Sequence, residues 1–160
     1  MTNIPAPPAL LIRTDDVSSP AVIELLLDHL RNCQLATPPE STHALNLDGL
    51  RRPEITLWTI WSGPNLAGCG ALKHLDAQHA EIKSMRTAPN FLRQGIAAAM
   101  LQHLLAQAQL RGYSRVSLET GAMAYFEPAR RLYANFGFVA CEPFANYIPD
   151  PNSVFLTKEL

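Results

Sequence analysis

Little in this sequence could staple, thread or steer the chain. Its three cysteines, Cys33, Cys69 and Cys141, are odd in number and far apart. They form neither a disulfide frame nor a zinc-ligand pattern, and they fit a reducing compartment. Charge of one sign is also missing: the formal net charge is −1, which gives no electrostatic footing for nucleic acid or an anionic membrane. No apolar run approaches the length of a membrane span. The stretch from Met1 to Ile12 has three prolines and no basic region ahead of its short apolar run, so it does not read as a signal peptide. Repeats, low-complexity tracts and linkers are absent too. What remains is a cytoplasmic, globular chain whose 160 residues, 48% of them apolar, suffice for one domain over 1–160 with a real core.

What is present is organised around Glu81-Ile-Lys-Ser-Met-Arg-Thr-Ala-Pro-Asn-Phe-Leu-Arg-Gln-Gly-Ile-Ala97 and the helix continuing from it. Glu81 to Thr87 alternates as a strand does. Strict alternation puts Ile82, Ser84 and Arg86 on one face and Glu81, Lys83, Met85 and Thr87 on the other. Pro89 stops the strand, and a helical pattern then runs to about Arg111, with Gly112 as its stop. Ile96, Met100 and Leu104 form one apolar row, and Ala97, Leu101, Leu105 and Ala108 another. Gln102, His103, Gln107 and Gln109 fall on the polar side, where Leu110 is the exception. A strand that feeds a helix through a glycine turn leaves free amides at the positive end of the helix dipole, a ready anion site. Gly95 could equally do no more than ease the turn.

Elsewhere, Ala9 to Thr14 reads as a strand. Ser19-Pro20 caps a helix to about Asn32 that buries Val22, Leu25, Leu26, His29 and Leu30. Ser41 or Thr42 is expected to cap a second, short helix ending near Leu50. Strands follow at Glu54–Trp61, Leu66–Leu75 and, after the central helix, Ser114–Glu119. Pro128 opens a helix with Ala129, Leu132, Tyr133 and Phe136 on one face, and Gly137 closes it. Phe138–Cys141 and Ser153–Lys158 are the last strands. This order predicts an α/β fold: a mixed central sheet of about seven strands, an antiparallel meander then a β-α-β crossover, flanked by about four helices. A doubly wound dinucleotide fold would need a G-x-G-x-x-G turn after its first strand, which is missing.

The Glu81–Ala97 stretch resembles motif A of the GNAT superfamily of N-acetyltransferases, a strand and turn leading into R/Q-x-x-G-x-G/A. Ala129-Arg-Arg-Leu-Tyr-Ala-Asn-Phe-Gly-Phe138 is similar to that family's A-x-x-L-Y-x-x-x-G-F segment. The two motifs stand at the family's usual separation, and the resemblance spans nearly the whole chain. Lys83-Ser-Met-Arg-Thr87, Leu118-Glu-Thr-Gly121 and Asp150-Pro-Asn-Ser-Val-Phe155 resemble its YsnE-type branch of bacterial acetyltransferases. Two positions depart from the pattern. Leu92 stands where arginine or glutamine is usual, and Phe126 where an asparagine often contacts pantetheine.

The resemblance implies an acetyl-CoA-dependent N-acetyltransferase. The acetyl group would move to the amine of a small molecule, an amino acid or related metabolite, by direct attack on the thioester. It implies pyrophosphate on the amides of Arg93, Gln94, Gly95, Ile96, Ala97 and Ala98, and pantetheine along the main chain of Met85, Arg86 and Thr87. A strand amide there would face the acetyl oxygen. Tyr133 aligns with the family's proton donor, although it could equally be a core aromatic. Glu81 is the first candidate base, acting directly or through water, and an ordinary strand carboxylate otherwise. His43 is the second candidate base, since the region before the meander lies over the acceptor site in this family, and it is also a candidate for acceptor binding. Glu119, like Arg51, Arg52 and Arg86, could bind an acceptor amine or carboxylate, and each of these residues has a solvated reading beside it. No metal is expected, and homodimers are common in the family. The alternative is a non-catalytic acyl-CoA-binding sensor or regulatory module.

Overall fold

The computed structural model describes residues 9–160, so the reading of the first eight residues lies outside the described part. Its elements are β1 (Leu10–Asp15), α1 (Pro20–Ala36), α2 (Leu47–Leu50), β2 (Ile55–Ser62), β3 (Asn65–His74), β4 (His79–Thr87), α3 (Ile96–Leu110), β5 (Arg115–Gly121), α4 (Glu127–Asn135), β6 (Val139–Ala140) and β7 (Ser153–Glu159). The strands make one seven-stranded sheet in the order β1-β2-β3-β4-β5-β7-β6. Every neighbouring pair is antiparallel except β4 and β5, which the α3 crossover makes parallel. This is the mixed sheet with four helices that the order of elements predicts.

Two cores form, one on each side of the sheet. Ile96, Met100, Leu101 and Leu104 of α3 and Tyr133 of α4 bury against Ile60, Leu72, Ile82, Val116 and Leu118. Val22, Leu25 and Leu26 of α1 and Leu50 of α2 bury against Leu57, Cys69 and Ala71. Each large apolar side chain removed from water contributes about 1.5–3 kcal/mol, so these rows hold the helices to the sheet. Gly70 marks a close approach of α3 to the sheet. A Cβ there would stand 2.8 Å from both Met100 Cγ and Met85 Sδ.

The helix ends follow their sequence signals with two corrections. Ser19 Oγ accepts the Val22 amide at 3.4 Å, and Pro20 occupies the first helical position. α1 runs past Asn32 to Ala36 because Cys33 continues its buried stripe; Thr37 then leads into Pro38-Pro39. The cap of α2 is Asn46, whose Oδ1 accepts the Gly49 amide at 2.8 Å, and not Ser41 or Thr42. Ser41 belongs to a separate 3-10 turn, Pro39–Ser41, and is buried. His103 also departs from expectation: its ring packs edge-on against Trp58, centroids 5.4 Å apart, instead of lying on a polar face.

The consequential irregularity lies in β4. Cys69 pairs with Arg86 and Ala71 with Lys83, so one residue of β3 opposes two of β4, and Ser84 takes φ 55°. This bulge inserts one residue and reverses the alternation beyond it. Ile82 and Met85 therefore both face the α3 core, while Arg86 turns to the α1 side with Glu81 and Lys83. The expected grouping of Met85 with Glu81 and Lys83, and of Arg86 with Ile82, is overturned by that one extra residue.

Candidate active site

The bulge coincides with a break in the sheet. β4 and β5 pair only over His79–Glu81 with Arg115–Ser117. β4 runs on to Thr87 without β5, while β5 continues to Gly121 paired with β7. The two central strands therefore part beyond Glu81 and Ser117. The gap between them is a cleft of ≈ 120 Å³ lined from both faces of the sheet. His29 and Cys33 come from α1, Thr37 and Ser41–Ala44 from the connection after it, Ile82–Met85 from β4, Glu119–Gly121 from β5, and Phe126, Ala129 and Tyr133 from the α4 region.

The strand-to-helix turn stands at the end of the same strand. Arg93 takes φ 62° and Gly95 φ 80°, and Gly95 is the N-cap of α3. No side chain caps this helix, so its first amides point outward at the positive end of the dipole. Leu92, Arg93, Gln94 and Gly95 are exposed, and Ile96 is buried under them. Open space surrounds the position a Gly95 Cβ would take. What selects glycine there is its backbone angle, since a left-handed conformation costs other residues about 1–2 kcal/mol.

The predicted site residues divide between this turn and the cleft. Met85 lines the cleft. Arg86 does not present its side chain there: the guanidinium bonds Asp28 at 2.6 Å and the Tyr125 hydroxyl at 3.2 Å, which leaves its main chain. Thr87 ends β4 opposite Gly68. Ala97 and Ala98 follow Ile96 in the first turn of α3. His43, Glu119 and Tyr133 are brought together as walls of the cleft. Burial pushes Glu119 up to about 7, with the Ser153 hydroxyl and Lys83 opposing the rise. Burial also raises Tyr133 above the usual phenol range, so its hydroxyl stays protonated at neutral pH.

Glu81 stands apart from these. It is 2% exposed and does not line the cleft. One of its oxygens, Oε2, accepts the Tyr147 hydroxyl at 2.5 Å and the Lys83 ammonium at 3.2 Å, and Lys83 also donates to that hydroxyl at 2.9 Å. Burial, and then the Glu81 charge, raise Tyr147 far above its ordinary value, so the proton stays on the phenol and is donated to Glu81.

Three features of the site went unread in the sequence. Lys83 sits inside a motif already singled out, two residues from Glu81, and that spacing was the available signal for a same-strand ion pair. Tyr147 comes from the proline-rich loop between β6 and β7, where nothing local marks it. It stacks edge-on with His43, centroids 5.1 Å apart. Asp150 of the same loop accepts the Ser41 hydroxyl at 2.5 Å across 109 residues of chain. His29 and Cys33 form the remaining wall, Sγ and Nε2 3.8 Å apart. Burial, then Arg86, lower His29 to about 4, and burial raises the Cys33 thiol.

A neutral imidazole, a protonated thiol, a carboxyl poised to titrate near neutrality and a protonated phenol thus surround an opening between strands. The set suits moving a proton off an incoming nucleophile and placing a donor near a leaving group. Among the described residues no group of three or more His, Cys, Asp or Glu is gathered for a metal, and no helix is long and apolar enough to cross a membrane.

Comparison with known proteins agrees with this geometry. The profile of the acetyltransferase (GNAT) family matches residues 21–138. Over 149 residues the chain is 58% identical to "Uncharacterized N-acetyltransferase YsnE" of Bacillus subtilis, covering 93% of this chain and 99% of that protein. It is 51% identical to "Uncharacterized N-acetyltransferase YedL" of Escherichia coli, again over 149 residues, 93% of this chain and 94% of that one. A GNAT acetyltransferase from Elizabethkingia anophelis, solved with acetyl-CoA bound, superposes with a TM-score of 0.70 at 22% identity, covering 94% and 98% of the two chains. The chain therefore belongs to the acetyltransferase (GNAT) family and is an acyltransferase.

Proposed function

We propose that this protein moves an acetyl group from acetyl-CoA to the amine of a small molecule. The observation that carries the reading is the parting of β4 from β5 directly beside the uncapped start of α3. An extended, phosphate-bearing donor needs both: a free strand edge for its arm and a fan of amides for its pyrophosphate. The amides of residues 93–98 would hold the phosphates, and the main chain of Met85, Arg86 and Thr87 would pair with the arm. The exposed Leu92 leaves those amides accessible, so losing the usual polar side chain at that position does not close the site. When bound, acetyl-CoA supplies an activated acyl carbon.

The acceptor arrives from the α1 side. Glu119 takes the proton that the ammonium must lose, directly or through water, and only its ionised form can do so. With Glu119 titrating at about 7, kcat/KM rises with pH through that value. Tyr133 is the hydrogen-bond donor for the departing sulfur. Its raised phenol makes full transfer to a thiolate of pKa about 8.5 unfavourable, so its contribution sits near the low end for general acids, about 100-fold. Glu81, tied to Lys83 and Tyr147, holds the wall and does not meet the amine. The ≈ 120 Å³ of the cleft favours a small acceptor. The Ser41–Asp150 contact ties the loop that bears Tyr147 to one wall of the cleft.

The test combines binding with turnover. Acetyl-CoA and CoA should raise the melting midpoint where a control nucleotide does not. An amine panel followed by thiol release should then show turnover that Glu119→Gln lowers by about 10²–10⁴-fold, with the limb near pH 7 abolished. CoA binding without turnover on any amine would favour a sensor. No shift with any CoA species would overturn both readings.

A further inference from the structure

We propose that the acceptor carries a carboxylate beside its amine, with Lys83 as the carboxylate's partner on β4 and Glu119 as the amine's partner on β5. The proposal deepens the acetyltransferase reading and rests on it. Among the residues lining the cleft, Lys83 is the one lysine or arginine and Glu119 the one carboxyl. Their placement follows from register. Glu81 and Ser117 are the last paired residues of the parallel ladder. Lys83 and Glu119 each lie two residues beyond, so both project to the same face, one on each side of the gap.

Because the strands have parted, the two side chains face each other across more than the usual ~4.8 Å strand spacing, and they form no ion pair with each other. A molecule with ammonium and carboxylate a few ångströms apart spans that gap in one orientation, and that orientation puts nitrogen at Glu119. The counter-charge of Lys83 lies behind it, outside the cleft. Glu81 and the Tyr147 hydroxyl engage two of its three ammonium protons, which leaves one for a ligand. Tyr147 and Glu81 are thus positioning residues that aim Lys83, whose side chain is 9% exposed. Asp150 on Ser41 holds the loop bearing Tyr147 over the site. An amine without a carboxylate would leave the Lys83 proton without a partner, whereas a zwitterion satisfies both walls at once.

The experiment uses alanine, leucine and phenylalanine, each as free acid, amide and decarboxylated amine. Each is assayed by thiol release and by its effect on the melting midpoint of the CoA complex. The free acids should exceed their amides and amines by at least about tenfold in kcat/KM. Lys83→Met should erase that preference through KM while keeping the stabilisation by acetyl-CoA. Because Lys83→Met leaves Glu81 buried alone, the double variant Lys83→Met with Glu81→Gln removes the pair together and should give the same loss. Equal or better use of the amides or amines by wild type, or a preference that survives both variants, overturns the proposal. That outcome leaves the transferase reading intact, because turnover itself would have been seen. If no amine turns over and none stabilises the CoA complex, both fall together.

Discussion

At the start of α3, beyond the end of β4, the exposed groups are main-chain amides around the left-handed Gly95. Along the α1 side of the cleft they are side chains, Lys83, Glu119, His43 and Ser41, held by partners from distant parts of the chain. A wall of amides depends on backbone angles and tolerates most side chains. A wall of side chains depends on each partner being present, and it can be retuned one residue at a time. The first arrangement suits a ligand that stays the same, and the second a ligand whose recognition can be retuned.

That contrast is easiest to break at Glu81. Glu81→Ala leaves Lys83 uncompensated in a buried site, and the expected loss is about 3–5 kcal/mol of folding stability in urea denaturation. The surviving folded fraction should still respond to acetyl-CoA. Next in size is Gly95→Trp, which covers the amide fan while its side chain meets open space. It should remove the stabilisation of about 2.7 kcal/mol that acetyl-CoA at 100 times its dissociation constant gives wild type, and leave acceptor-side contacts unchanged. Smaller again, Ser41→Ala removes one hydrogen bond to Asp150 and should cost about 1 kcal/mol. Its signature is a raised KM for the acceptor with the KM for acetyl-CoA unchanged. The smallest effect belongs to Gln94→Ala, an exposed side chain bonded only to the Asn90 carbonyl at 3.2 Å. A change within about 0.5 kcal/mol in both stability and acetyl-CoA response is expected. A large loss there would mean that the α3 wall also works through side chains.

The same contrast explains what could be read from the sequence. The order of elements, the Ser19 cap, the α3 rows and the turn around Gly95 all rest on local periodicity and short-range chemistry, and the structure shows each of them. The α1 wall does not. Tyr147 and Asp150 matter because a loop near the C-terminus folds onto β4 and onto Ser41, contacts that span more than 60 and 100 residues of chain. Ser41 was read as a helix cap because serine before a short helix is a good cap; a tertiary partner claimed its hydroxyl first. Alternation in β4 misled for a different reason. Ser84 carries no local mark of a bulge, so strict period-two reading sent Met85 and Arg86 to the wrong sides. Glu81 and Lys83 were legible as neighbours on one face, but not the Tyr147 hydroxyl that joins them.

The parting of β4 from β5 has a meaning for the chain's solubility as well. Unpaired strand backbone is usually found at the rim of a sheet, where it invites other chains to add on and aggregate. Here the open stretch is the fifth-strand side of β4, deep between neighbours that are themselves paired, with α1 on one face and α3 and α4 on the other. A polypeptide laid along it as an extra strand would carry side chains on both faces, and these would meet the helices packed on either side of the sheet. The protein thus places the open part of a strand edge inside the molecule, away from the rim where chains add on.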